Sequence, residues 1–409
     1  MFLTPRTSST WRLAPSPRWW PVNCHSGHAL VSQPNGAARD QETKRKARPS
    51  CQAVLDRFDE QYSQELGDLW ESARAVLLDP GSWQYGVMLN RFSIVTGISQ
   101  ILQSQGFSTL LPQTRGPAVL PSGPAAVSRS KCRAGKGSLL PPGHISKWPP
   151  NDSYLQPDIK SPARDQDLES EPSPVLALKV QDGEKVLDLC SAPGGKAVAI
   201  LQCATPALLC CNEPDPQRRD WLAKTLESFL SQSLTSRVIV SAQDGRSFGQ
   251  SEAGTYDKVL VDSPCSNDRS WLYCGGQQGE QRLKERAGLP ALQAQLLRSA
   301  LSAVRPGGVV VYSTCTLSSF ENFAVVETVL NDCPEAEPED LWEEIGIPLS
   351  EHFTFRTTHP GGSQTPHNAS LQPHNAPSSS YRHRLGLLVV PQPGKTWGPM
   401  FLSRIRRRK

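Results

Sequence analysis

No run of 18 apolar residues occurs anywhere in the sequence, so no membrane-spanning helix is expected. The apolar stretch of a secretory signal is missing near the start as well. Paired CxxC motifs are lacking, and the eleven cysteines are an odd number. That pattern fits neither a zinc-ligand set nor the even framework of a small secreted domain, and it points to reduced thiols in a reducing compartment. Acidic residues are absent from positions 1–39, where Arg6, Arg12, Arg18 and Arg39 stand among Ser, Thr, Pro and Trp. This is the composition of a mitochondrial presequence, although prolines at 5, 15, 17 and 21 interrupt any amphipathic helix. Residues 1–50 therefore read as a disordered segment of presequence type.

What is present begins at Cys51. Val54, Leu55, Phe58, Tyr62, Leu66 and Leu69 recur at three- and four-residue spacing, which predicts an amphipathic helix. A second helical segment runs from Trp70 to Leu78, and "DPGSW" at Asp79–Trp83 reads as a turn. Residues 51–111 are thus expected to form a small helical subdomain. Residues 112–174 are rich in Pro, Ser, Gly and basic side chains without periodicity, as a linker or an RNA-facing arm would be. Residues 358–384 read as a disordered insertion of the same kind, and its His359, His367, His374 and His383 lack a ligand spacing, so no metal is expected. The formal net charge of +4 is weak evidence for an acidic partner.

From Val175 to Asp332 apolar strand-like runs alternate with helical ones. "KVLDLC", "LLCCNE", "RVIVSAQD", "YDKVLVDSPC" and "GGVVVYSTCT" are the runs, and helices are predicted between them. Continuous apolar strands separated by helices imply a parallel sheet covered on both faces. "LGLLVVP" and "GPMFLSRI" near the end supply a further hairpin, and "VLALKV" at Val175–Val180 reads as a leading strand. The expectation for 175–409 is an α/β, doubly wound, mostly parallel seven-stranded sheet.

In such a sheet the ligand lies beyond the carboxyl ends of the strands, where the strand order reverses. The loop after the first strand, "DLCSAPGGK" (Asp188–Lys196), is the first place to look. Gly194 and Gly195 allow close approach of the backbone, and Pro193 with them forms a tight turn at a helix N-terminus. Glu213, after the second strand, is placed to accept from both ribose hydroxyls of an adenosine-type cofactor. Asp244 after the third strand faces the adenine amino group, and Asp262 ends the fourth. A dehydrogenase would need a GxGxxG cradle after the first strand, which this chain lacks. Three acids without a phosphate cradle favour S-adenosylmethionine, whose sulfonium is positive. An ordinary strand-to-helix turn, with strand-terminal turn residues, is the alternative for each element taken alone.

"LCSAPGGK", "VDSPCSNDRSW" and "YSTCTLSSFEN" together resemble the Sun-domain RNA cytosine-5 methyltransferases. The lead "LDRFDEQYSQELGDLW", the run "CSNDRSWL" and the end "GKTWGPMF" resemble the family's mitochondrial branch. The likeness covers about 51–111, nearly all of 175–332 and the last strands. It implies a Rossmann-like methyltransferase fold and S-adenosylmethionine held by Cys190, Ser191, Ala192, Pro193, Gly194, Gly195, Lys196, Glu213, Asp244 and Asp262. It also implies an RNA partner, mitochondrial tRNA-Met with its wobble cytosine, in the mitochondrial matrix, and a monomeric chain.

Carbon 5 of cytosine is too weak a nucleophile to take a methyl group directly, so a thiolate must first add to carbon 6. Release then needs the carbon 5 proton to leave and the thioether to eliminate, for which a second acid–base group is useful. Cys265 and Cys315 end the fourth and fifth strands, so both thiols are expected in one pocket. Spacing does not say which attacks. The resemblance assigns attack to Cys315 and product release to Cys265, places Asp262 against cytosine N3 and the exocyclic amine, and sets Lys196 near the thiolate. Arg218, Arg219, Arg269, Arg282, Lys284 and Arg286 are candidate phosphate contacts, with Trp271 and Tyr273 as stacking residues.

Cys203, Cys210, Cys211 and Cys333 read as core. Ser191 departs from the alanine usual in the family loop, and "ARDQDLESEPSP" departs from its ordered lead into the domain. Two other readings stand beside the enzyme: a non-catalytic RNA-binding or ribosome-assembly factor on the same fold, and an amino-group methyltransferase. The last wants an Asn/Asp-Pro-Pro-aromatic motif where this chain has "DSPC".

Overall fold

The computed structural model describes residues 50–84, 86–88, 90, 100, 107–109, 126–129, 173–230, 232–357 and 385–409. The presequence reading of the N-terminus, the insertion 358–384 and most of the segment 112–174 lie outside the described residues.

Chain order begins with two helices, α1 (Gln52–Leu66) and α2 (Asp68–Leu77). The periodic residues Val54, Leu55, Phe58, Tyr62 and Leu66 all face inward and are buried, as a helical stripe of that spacing must be. Gly67, at φ +58°, lets the chain turn between the two helices without the steric cost a side chain would meet. Asp79 caps the following turn by accepting from the Gly81 amide at 3.1 Å.

Beyond it the helical expectation is corrected at 86–88 and 107–109, while Gln100 is helical and most of the rest of 84–111 lies outside the described residues. The strands β1 (Gly86–Met88), β2 (Phe107–Thr109) and β3 (Ala126–Arg129) form an antiparallel sheet with β3 in the middle. Part of the stretch read as a linker is therefore paired backbone. The leading strand predicted over Val175–Val180 is also not one: Ser173–Leu178 is a helix, α3. Its Val175, Ala177 and Leu178 are buried, and an apolar run this short suits a buried helical turn as well as a strand.

The main sheet follows: β4 (Lys185–Asp188), α4 (Gly195–Cys203), β5 (Leu208–Asn212), α5 (Pro216–Phe229), β6 (Val238–Ser241) and β7 (Tyr256–Asp262). Then come α6 (Asp268–Trp271), α7 (Gly276–Arg286), α8 (Leu289–Ala303), β8 (Val304–Thr314) and α9 (Phe323–Asp332). Four shorter or terminal strands close the chain: β9 (Ala336–Glu339), β10 (Phe355–Thr357), β11 (Leu387–Val389) and β12 (Met400–Arg407).

The sheet order is β10-β11-β12-β8-β7-β4-β5-β6, with β9 paired to β12. Strands β4 to β8 are parallel, as predicted, and β11 with β12 gives the predicted hairpin. The short edge strands β9 and β10 extend the predicted seven to nine. Successive residues alternate between the two faces. Leu187, Val259, Val261, Val310 and Tyr312 pack with α1, α2, α8 and α9, while Val186, Leu260, Val309 and Val311 pack with α3, α4 and α5. Both faces are thus covered, which is what continuous apolar strands require. The order reverses between β4 and β7, so their C-terminal ends open a crevice.

Candidate active site

The crevice is built first by the loop after β4. Asp188, fully buried, accepts from the Ser191 hydroxyl at 2.8 Å through one oxygen, while the other has no protein partner. Burial pushes its carboxyl up to about 7, against the pull of that hydroxyl, and the nearby Asp262 charge adds to the rise. Gly194 sits at φ +112°, and a Cβ there would lie 3.1 Å from Leu222 and 3.2 Å from Thr225 of α5. The glycine is therefore demanded by both conformation and space, since its missing Cβ lets the start of α4 pack against α5.

Asn212, buried at the end of β5, ties three loops together. Its amide nitrogen donates to Leu189 O at 3.1 Å and Gln243 O at 3.0 Å, and its oxygen accepts from the Gln243 amide at 3.0 Å. Sequence reasoning passed over it, because a strand-terminal Asn carries no local mark of a three-way contact.

Glu213 follows, nearly fully buried, accepting from the Asp215 amide at 3.0 Å with Arg218 at 3.5 Å. Burial raises its carboxyl above the ordinary value, and Arg218 opposes this. Arg218 also donates to Ala192 O at 3.0 Å, and Arg219 to Glu213 O at 2.9 Å. These two arginines, expected at phosphates, instead join α5 to the loops of the crevice. Asp244 caps a turn at the exposed rim and has both oxygens on the Arg246 guanidinium, which holds its carboxyl below the usual range. The expected adenine contact is thus occupied by an arginine within its own turn.

Lys196 and Asp262 come together across the reversal. The Lys196 ammonium donates to Asp262 at 2.6 Å, and the Ser313 hydroxyl donates to the other Asp262 oxygen at 2.8 Å. Burial works against the lysine charge, but Asp262, and after it Cys315 and Asp188, hold the proton, so its pKa stands above the ordinary value.

Asp262 and Ser313 are register partners in the parallel pair β7 and β8, so the residues just beyond them emerge side by side. Those are the two thiols. The Cys265 and Cys315 sulfurs lie 3.1 Å apart, and the Cys315 amide approaches the Cys265 sulfur at 3.2 Å. Cys315 is exposed and Cys265 buried. The hydrogen bond to Cys315 comes first, and burial second, in pushing the Cys265 thiol well above its ordinary value. Cys265 therefore keeps its proton and can donate it toward the exposed sulfur.

A polar network lies beneath them that the sequence did not announce. Asp268 accepts from the Tyr62 hydroxyl at 3.0 Å, the Thr316 hydroxyl at 2.9 Å and the Leu317 amide at 2.7 Å. Glu321 accepts from the Ser266 amide at 2.9 Å and the Ser266 hydroxyl at 2.6 Å, and it pairs with Arg286 at 3.3 Å. Arg286 also donates to the Tyr62 hydroxyl at 2.9 Å. These groups fix the loops that carry both cysteines.

They also correct the phosphate-contact reading, since Arg286 is buried. Arg269 donates to Thr396 O and lies 4.5 Å over the Trp83 ring. Trp271 is buried and so is not presented for stacking, while Tyr273 is half-buried and donates to Leu77 O at 2.9 Å. Arg282 lies 5.7 Å from the Trp271 ring, and Lys284 is exposed.

The donor set fits an amino-acid-bearing adenosyl ligand: a glycine cradle, a buried Glu213, and the orphan Asp188 oxygen.

The sequence profile of the family described as 16S rRNA methyltransferase RsmB/F matches residues 175–371. A mitochondrial tRNA (cytosine(34)-C(5))-methyltransferase of Danio rerio is 46% identical over 387 residues, covering 94% of this chain and 95% of the relative. The protein of the same description from Mus musculus is 41% identical, covering 88% of this chain and 92% of its own. The 5-cytosine rRNA methyltransferase NSUN4 of Bos taurus is 37% identical over 68% of this chain and 74% of that one. Among solved structures, a methyltransferase homolog protein from Pyrococcus horikoshii shares the fold at TM-score 0.51 and 17% identity, over 87% of this chain and 99% of that chain.

Proposed function

We propose, because this chain belongs to the RsmB/F family of S-adenosylmethionine-dependent RNA cytosine-5 methyltransferases, that it methylates the wobble cytosine, position 34, of mitochondrial tRNA-Met in the matrix. A tRNA substrate, position 34 and the organelle rest on the names of relatives that match along nearly the whole chain, the organelle also on the acid-free N-terminus, and the choice of tRNA-Met on the resemblance of "LDRFDEQYSQELGDLW", "CSNDRSWL" and "GKTWGPMF" to the mitochondrial branch.

The cofactor, when bound, supplies an electrophilic methyl group. Gly194, Gly195 and the Cys190–Pro193 turn cradle it, Glu213 takes the ribose, and Asp188 has a free oxygen for its polar end. Asp244 joins only if it turns from Arg246. The remaining chemistry belongs to the side chains of the chain itself. Cys315, exposed and near the Lys196 ammonium, adds as thiolate to carbon 6 of cytosine, which makes carbon 5 nucleophilic. Asp262, held by Lys196 and Ser313, faces the N3 and amine edge and stabilises the activated base. After methylation solvent water takes the carbon 5 proton as base, its electron pair re-forms the carbon 5–carbon 6 double bond, and the bond from sulfur to carbon 6 breaks. Cys265 donates its S–H to the departing Cys315 sulfur and stabilises the thiolate as it is expelled.

The observation that carries this reading is the 3.1 Å approach of the two sulfurs beside the Lys196–Asp262 pair. The non-catalytic alternative has no use for a protonated thiol held against an exposed one. Bisulfite sequencing of mitochondrial tRNAs from cells with and without the protein tests the substrate. Loss of the 5-methylcytosine signal at position 34 of tRNA-Met alone is expected, and an unchanged signal there contradicts the proposal.

A further inference from the structure

The loop between Cys315 and α9 carries one side chain that its own fold does not use. Phe320 is 61% exposed, whereas Thr316, Leu317, Ser318, Glu321 and Asn322 around it are buried. Leaving a phenylalanine in water forgoes about 1.5–3 kcal/mol of burial free energy, so a polar residue there would cost the fold nothing.

The loop is also held unusually firmly. The Ser319 amide donates to Glu65 of α1 at 2.9 Å, and Gln61 of α1 donates to the Ser318 hydroxyl at 3.2 Å. On the other side the Tyr312 hydroxyl donates to Glu321 O at 2.6 Å, and Asn322 donates to Thr316 O at 2.8 Å. Every neighbour of Phe320 is thus anchored, and the ring stands on a platform whose two sides are α1 and the end of β8. Five residues span at most about 17 Å even fully extended, so the ring stays within reach of nucleotides flanking whatever base Cys315 holds.

We propose that Phe320 is a substrate-binding residue that stacks on an unpaired RNA base next to the target cytosine. Single-stranded RNA loops are recognised by aromatic rings that take splayed bases, and each such stack is worth about 1–3 kcal/mol. A ring carried on a backbone anchored before binding has only its own side-chain rotation left to lose on stacking. Of the residues first expected in this role Trp271 is buried and the Tyr273 hydroxyl is bound to Leu77 O, and Phe320 is the exposed aromatic on the loop that carries the attacking thiol. This inference rests on the RNA methyltransferase reading above.

The test uses the full chain and an anticodon stem-loop RNA with 2-aminopurine at each position flanking the target cytosine. Binding to the wild type is expected to quench the fluorophore at one flanking position, and Phe320→Ala to abolish that quench. In steady state Phe320→Ala is expected to raise KM for RNA roughly 5- to 100-fold with kcat little changed, Phe320→Trp to restore it, and Phe320→Leu not to. An unchanged quench and KM in Phe320→Ala, or full recovery with Phe320→Leu, overturns the stacking role. Absence of methylation by the wild type would overturn the earlier reading instead, and because the fluorescence arm needs binding only, the stacking claim is still decided.

Discussion

The Tyr62 hydroxyl on α1 donates to the Asp268 carboxylate at 3.0 Å, joining residues 206 positions apart beneath the two cysteines. The same oxygen accepts from Arg286 at 2.9 Å, so one hydroxyl links α1, α6 and α7. Tyr62→Phe is expected to cost about 1–3 kcal/mol, since it leaves buried partners short of a bond, as measured by urea denaturation. Methyl transfer is expected to fall further than cofactor affinity, because the loops of Cys265 and Cys315 rest on this network while the Gly194 loop does not.

Arg286 and Glu321 form a buried pair, 9% and 1% exposed. Arg286→Met leaves a carboxylate buried without its cation, and a loss of about 3–5 kcal/mol is expected. Arg286→Met with Glu321→Leu removes both charges and should recover part of that loss. If the double variant is no more stable than the single one, the pair is not the source of the cost.

Asp188 makes stability depend on pH. Its folded carboxyl titrates at about 7, above the ordinary 3.8, so the folded state holds the proton more tightly than the unfolded chain. That contribution is complete below the unfolded pKa and is lost as pH rises through about 7. The melting temperature of the ligand-free protein should therefore fall between about pH 4 and pH 7. Asp188→Asn should flatten this slope in part, since Asp268, pushed up to about 6 by burial, acts with the same sign. An identical slope in Asp188→Asn contradicts the assignment. Ser191→Ala, which removes a bond to the charged form, should extend the decline to higher pH by making the carboxyl still harder to ionise.

The strands and the thiols could be read from the chain because their signals are local. An apolar run that stops at a polar turn marks the end of a buried strand, and Asp262, Cys265 and Cys315 each stand at such an end. Arg286 and Trp271 were misplaced for the opposite reason. A cationic or aromatic residue says nothing of what covers it, and Arg286 is buried only because Tyr62 and Glu321 arrive from α1 and from the loop after β8. Asp244 was placed at the right strand end but is held by Arg246, a neighbour whose side chain spacing alone does not aim. The short strands β9 and β10 gave no run to read: "AEPE" contains a proline and two glutamates, and it pairs only at the sheet edge. Val175–Val180 shows the limit of a short apolar run, which serves a helix and a strand alike.

Trapping of the covalent protein–RNA adduct tests the division of labour between the thiols most directly. Purified variants are incubated with the tRNA-Met anticodon stem-loop and S-adenosylmethionine and resolved on a denaturing gel. Cys265→Ala is expected to accumulate a stable adduct, because the sulfur expelled from carbon 6 has lost its hydrogen-bond donor, while Cys315→Ala forms none. Adduct from Cys315→Ala and none from Cys265→Ala would reverse the two roles, and no adduct from either would contradict the covalent mechanism.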